Sequence, residues 1–173
     1  MAMAHGADVA AESLLRGARR AGVDACIYLP DSCLTTAIRA FQGSSGITMV
    51  PCAREDEGVA IAVGLYLGGR TPVCMMEASG IGYSGLILAR AQAQRTPVVI
   101  LASHSQRAGE PYDYHAATIM VSEGIFRGLG IPYEVASDPD ALDALVYRVI
   151  VTARAQRTSF GLLLPPFVMT GAD

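Results

Sequence analysis

The sequence predicts an α/β protein, a three-layer sandwich with a mostly parallel sheet and helices on both faces. Three observations predict it. Short apolar, strand-like runs alternate with helix-like segments along the whole chain. One run, Pro97 to Ala102, is continuously apolar, as a strand buried on both faces of a parallel sheet must be. Polar turns follow the strands at the carboxyl edge, where such sheets bind ligands. Residues 1–173 read as one domain, with no repeat, low-complexity segment or linker.

The elements follow in order. Ala7 to Arg20 carries apolar residues at helical spacing and basic residues late, and Gly22 stops it. Ala25 to Leu29 is a short buried strand ended by Pro30. Asp31 or Ser32 caps a helix over Leu34 to Gln42, and Ile47 to Val50 is a second strand. Three acids, Glu55, Asp56 and Glu57, then precede ten uncharged residues rich in Gly and Ala, which predict a buried helix ending at Gly68-Gly69-Arg70. Pro72 to Met76 is a third strand, Ser84 to Arg95 a helix and Pro97 to Ala102 the fourth strand. A polar loop from Ser103 to Tyr114 leads into a helix to about Leu129. Pro132 to Val135 is a weaker strand, and Asp138-Pro139 opens a helix to about Ala155. Gly161 to Leu164 is the last strand, closed by Pro165-Pro166.

Composition narrows the function classes. The 173 residues carry a formal charge of −3, with 51% hydrophobic and 17% charged residues. That is apolar for a lone soluble domain and predicts that part of the surface is covered by another chain. No apolar run is long enough to suggest a membrane span, and the first residues lack a signal-peptide pattern, so a cytoplasmic protein is expected. The acidic balance argues against a nucleic-acid partner. All thirteen basic residues are Arg. Without Lys there is no Schiff-base chemistry and no Walker A loop. Cys26, Cys33, Cys52 and Cys74 form no CxxC pair and read as reduced thiols, and the three scattered histidines suggest no metal site.

Gly80 to Gly85 spells GxGxxG between a strand and a helix. A dinucleotide site would also need an acid at the end of the next strand, which here ends in Ala102-Ser103-His104. The glycines therefore read as a tight turn, either plain or one that brings backbone close to a ligand or another subunit. The acid triplet has two readings as well. It is a helix start with solvated acids, or it carries one carboxylate into a cleft as a catalytic group.

Taken together, the Pro30-Asp31-Ser32 turn, the acid helix and the Ser79-Gly80-Ile81-Gly82 turn resemble the pyrimidine-binding domain of thiamine diphosphate-dependent 2-oxo acid decarboxylases. The likeness is greatest to the α subunit of sulfopyruvate decarboxylase and the first domain of phosphonopyruvate decarboxylase. It runs from about Val9 to Pro165. The family pattern places a Glu before a small residue, an apolar one, and then Gly with an apolar residue. Glu55 fits it with Ala60, Ile61, Gly64 and Leu65, whereas Glu57 would put Tyr66 in the Gly place and is the fallback.

The resemblance implies that Glu55 hydrogen-bonds a ring nitrogen of the cofactor's aminopyrimidine and activates it. Ser79, Gly80, Ile81 and Gly82 would form a wall against the cofactor. Ser32 is a candidate at the substrate carboxylate, or a helix cap by residue type. Glu110 to His115 resembles a Glu-Pro-x-His stretch of the phosphonopyruvate enzymes, which makes His115 a catalytic candidate or a surface-loop histidine. His104 and Arg107 are substrate-side candidates, with His104 otherwise a satisfied strand-end residue.

The chain departs from the family in two places. Glu77, Ala78 and Tyr83 stand where the sulfopyruvate enzymes have uncharged polar residues, and Ser105 stands where they have Arg. A sulfonate prefers fixed Arg donors, so the substrate's second anionic group is open and a different 2-oxo acid is admitted. The Gly-Asp-Gly…Asn-Asn motif for diphosphate and magnesium is absent, and the chain stops just after its last strand. The resemblance therefore implies a hetero-oligomer in which a separate β subunit carries most of the diphosphate and Mg2+ contacts. The expected function is the α subunit of a split 2-oxo acid decarboxylase. A carboligase or acyl-transferring relative and a non-catalytic α/β binding domain are the alternatives.

Overall fold

The computed structural model describes residues 2–105 and 112–170. Its helices are α1 (Ala2–Arg20), α2 (Thr35–Gln42), α3 (Glu55–Leu67), α4 (Ile81–Gln94), α5 (Ala116–Gly128), α6 (Leu142–Gln156) and α7 (Pro166–Thr170). The strands are β1 (Ala25–Tyr28), β2 (Thr48–Pro51), β3 (Pro72–Glu77), β4 (Val99–Ser103), β5 (Tyr133–Val135) and β6 (Phe160–Leu164). They form one sheet in the order β2-β1-β3-β4-β6-β5, and every neighbouring pair is parallel.

The side-chain period of the strands builds two cores. Cys26, Val73, Met75, Val99, Leu101, Leu162 and Leu164 point to one face, where α1, α2, α6 and α7 cover them. Ile27, Cys74, Met76, Ile100, Ala102 and Leu163 point to the other, under α3, α4 and α5. Successive side chains of a strand face opposite ways, so a strand covered on both sides must be apolar at every position. Leu101 and Ala102 are 0% exposed on opposite faces of the same strand, which is why Pro97 to Ala102 reads as an unbroken apolar run.

Several boundaries differ from the sequence reading. Helix α1 begins at Ala2 rather than Ala7, because the residues between are mostly good helix formers. The Asp138-Pro139 pair makes a turn and not a helix start. The Asp140 N–H donates to Asp138 Oδ1 at 2.9 Å, and α6 begins only at Leu142. After β6, Pro166 opens the short helix α7, since a proline that cannot extend a strand fits the first helical position.

The glycine-rich run is the largest difference. Ala78–Gly80 is a 3-10 turn that runs directly into α4 at Ile81. Gly80 has φ −65°, open to any residue, so this is no left-handed tight turn.

Candidate active site

The chain leaves β1 toward β2 on one side and continues from β3 to β4 on the other, so the order of connection reverses between β1 and β3. A crevice forms outside the carboxyl ends of strands at such a point. Here it is a cleft of about 370 Å³ whose lining includes Asp31, Ser32, Glu77, Ser103, His104 and His115.

Asp31 builds the near wall. Its Oδ1 accepts the Leu34 N–H at 2.8 Å and its Oδ2 accepts the Ser103 hydroxyl at 3.1 Å. Asp31 is therefore the residue that caps the approach to α2, and Ser32 is left exposed at the cleft. Cys33 lies beside them, its thiol pushed up to about 12 by burial and by Asp31. On the far side Glu77, at the end of β3, accepts the Thr118 hydroxyl on Oε1 at 3.4 Å.

His104 follows β4 and is 4% exposed. Its Nε2 faces Glu123 Oε1 at 3.6 Å, and neither ring nitrogen has a hydrogen-bond partner among the described residues. The reading of His104 as a satisfied strand-end residue is thus not what the structure contains. Burial lowers its pKa, and Glu123 pulls the other way. Glu123 is held in turn by Arg127 and by the Tyr133 hydroxyl, each at 2.9 Å. His115 ends a 3-10 turn before α5, half-buried, with its ring edge-on to Tyr112 at 5.5 Å. Arg107 lies outside the described residues.

The acid triplet sits at the same carboxyl edge, at the N-terminus of α3, and its three members have separated roles. Glu57 reaches back so that its Oε2 accepts the Ala53 N–H at 2.8 Å, one residue before the N-cap Arg54. Asp56 takes a bidentate bond from Arg54 at 3.1 and 2.9 Å. Glu55 makes no hydrogen bond or ion pair among the described residues. Its half-buried side chain lies across Gly80, so close that a Cβ on Gly80 would stand 2.0 Å from Glu55 Cγ and 2.4 Å from Cδ. Gly80 is therefore a glycine because a side chain from another element occupies the space.

The structure thus makes two groups of the predicted residues. Ser32, His104 and His115 share the cleft, joined by Asp31, Glu77 and Ser103, none of which the sequence reading had named as a ligand contact. Glu55 and Gly80 pack together outside its lining. Ser79 is half-buried on the 3-10 turn, and Ile81 is 0% exposed with its side chain in the core. Gly82 is exposed, and a Cβ there would meet Val121 of α5 at 2.5 Å.

The carboxyl edge is bordered by uncovered apolar side chains. Tyr83 and Leu86 on α4 are 72% and 64% exposed, and Met120 on α5 is 71% exposed. Helix α3 leaves Ala60, Gly64 and Leu67 outward. None of the described helices is long and apolar enough to cross a membrane.

Residues 8–123 match the family described as thiamine pyrophosphate enzyme, N-terminal TPP binding domain. The sulfopyruvate decarboxylase subunit alpha of Methanothermobacter thermautotrophicus is 29% identical over 129 residues, which cover 74% of this chain and 78% of that protein. The subunit of the same name from Methanococcus maripaludis is 27% identical over 138 residues, 79% of this chain and 83% of that one. Phosphonopyruvate decarboxylase of Streptomyces hygroscopicus is 27% identical over 165 residues, 93% of this chain but 41% of that protein. Among solved structures, benzoylformate decarboxylase from Polynucleobacter necessarius shares the fold over 95% of this chain, with a TM-score of 0.76 at 22% identity. This chain spans 31% of that one.

Proposed function

The chain belongs to the thiamine pyrophosphate enzyme family, as its N-terminal TPP binding domain, and on that premise we propose that it is the α subunit of a split thiamine diphosphate-dependent 2-oxo acid decarboxylase. The observation that carries this reading is the state of Glu55. Of three adjacent acids, two are engaged in starting α3, and the third lies half-buried across Gly80 with no partner in the described chain. A carboxyl fixed at the end of a rigid helix and left without a partner fits a group whose ring nitrogen must share a proton with it.

When bound, the cofactor supplies the carbon nucleophile and the electron sink for loss of carbon dioxide. Glu55 would hold the cofactor by a hydrogen bond to a ring nitrogen of its aminopyrimidine. Ser79, Gly80 and Gly82, with the backbone of Ile81, would form the wall beside it. Ser32 and His104 bind and orient the 2-oxo acid, with Arg107 from the segment after β4. His115 moves a proton at the substrate side. Relatives named as alpha subunits support a separate β subunit, which would bring most of the diphosphate and Mg2+ contacts and complete a hetero-oligomer in the cytoplasm. The exposed Tyr83, Leu86 and Met120 support such a covering chain beside the carboxyl edge.

The test is reconstitution. The chain mixed with its β partner, thiamine diphosphate and Mg2+ should release carbon dioxide from a 2-oxo acid, and neither chain should do so alone. Full activity of the isolated chain would remove the split-site reading. No release from the mixture with any 2-oxo acid would remove the decarboxylase reading.

A further inference from the structure

The cleft at the β1/β3 crevice sets two carboxylates and a buried imidazole beside the hydroxyls of Ser32, Ser105 and Thr170. Asp31 and Glu77 bring two carboxylates to it, and no Arg is among the described residues that line it. Both oxygens of Asp31 are already engaged, by Leu34 N–H and by the Ser103 hydroxyl. Ser103 spends its proton on that bond and offers the cleft lone pairs only. Glu77 uses Oε1 for Thr118 and has no partner for Oε2 among the described residues.

His104 is the second, independent sign that a ligand belongs here. Its ring is 4% exposed, lines the cleft, and has no hydrogen bond among the described residues at either nitrogen. An unpaired polar group buried this deeply is costly unless something else meets it. Glu123 opposite Nε2 favours the tautomer with the proton on that nitrogen, because a lone pair there would face a carboxylate. Nδ1 is then an acceptor. Arg127 and Tyr133 keep Glu123 in place, so the ring's orientation is fixed from behind.

The Glu77 oxygen and the imidazole lone pair left without partners among the described residues fit a ligand group that donates. We propose that, given the 2-oxo acid reading above, this cleft selects substrates whose distal group donates hydrogen bonds, a hydroxyl or an ammonium, and rejects a second strong anion, with Glu77 as the specificity-determining residue. A sulfonate or phosphonate at that end would meet the Glu77 carboxylate and a ring nitrogen lone pair, both of which disfavour an anion. The donor class therefore departs from the sulfonate and phosphonate named for the curated relatives.

The test uses the assembled enzyme, this chain with its β partner, thiamine diphosphate and Mg2+. kcat/KM is measured for 2-oxo acids of matched length, including 3-hydroxypyruvate, 2-oxobutyrate and sulfopyruvate. The wild type should favour 3-hydroxypyruvate over sulfopyruvate by at least about 10-fold. Glu77→Gln keeps the side chain's shape and offers an N–H to an anion. It should narrow that ratio by about 10-fold while changing 2-oxobutyrate far less. A wild type that favours sulfopyruvate overturns the proposal without any variant. So does a folded Glu77→Gln enzyme with an unchanged ratio. Turnover of none of the panel overturns the decarboxylase reading and the selectivity with it, and is told apart by the absence of any carbon dioxide.

Discussion

Gly80→Ala separates placing Glu55 from folding the domain. The backbone at Gly80 (φ −65°, ψ −16°) accepts alanine, and alanine is better than glycine in a helical turn by up to about 1 kcal/mol. The new methyl group would stand 2.0 Å from Glu55 Cγ, 2.4 Å from Cδ and 2.7 Å from Cβ. Ordinary contact begins at 3.4 Å, so Cγ must retreat by 3.4 − 2.0 = 1.4 Å. Rotation about χ1 moves Cγ and Cδ away, but Cβ can move only with the start of α3. Overpacking of this kind costs about 1–3 kcal/mol, partly offset by the helical preference, so a net loss of about 1–2 kcal/mol is expected. A displacement above 1 Å at a catalytic group costs about 100-fold in rate. The assay is carbon dioxide release by the reconstituted enzyme, below the variant's unfolding temperature. A folded Gly80→Ala chain with wild-type kcat would refute the claim that Glu55 must lie where the structure puts it.

Other perturbations give distinct outcomes. Glu57→Ala removes the acceptor of the Ala53 N–H and should lower stability by about 0.5–2 kcal/mol in a denaturant melt with turnover largely kept. Loss of turnover at unchanged stability would make Glu57 the activator instead. Gly161→Ala would put a methyl group 2.4 Å from the ring of fully buried Phe126, and should cost about 1–3 kcal/mol by the same melt, whereas no cost would mean that this packing is loose. His104 has a pKa lowered by burial, so the unfolded chain takes up a proton first as the pH falls. Its contribution to stability should thus be level above the ordinary value of about 6.5 and decline below it. His104→Gln should flatten that acid-side decline in melts taken at several pH values, and an identical slope would contradict the lowered pKa. Glu123→Gln removes the one influence raising that pKa, so an NMR titration of the ring should shift to still lower pH.

Much of the fold was legible because burial on both faces leaves a simple trace, unbroken apolar strands separated by helical periods. The place of the acid triplet at the start of α3 was legible too, since three acids run straight into an uncharged stretch rich in Gly and Ala. The role of Asp31 was not. Asp and Ser cap helices about equally well, and only the approach of Ser103 from another strand shows which one turns inward. The reason for a glycine at position 80 was not legible, because the Glu55 side chain that fills its space arrives from a different helix, and no local spacing records such a contact. The same holds for His104 and Glu123, which meet across β4 and α5. Glu77 drew notice only as a departure from the family, and its place in the cleft follows from the β3/β4 register that sets it beside Ser103.

The central claim is that the Glu55 carboxyl activates the cofactor from this chain. Glu55→Gln keeps the volume and the helix start but gives up the proton-sharing group. With the β partner, thiamine diphosphate and Mg2+ present, carbon dioxide release should fall by at least about 100-fold while the melting temperature stays at the wild-type value. An undiminished rate would contradict the account.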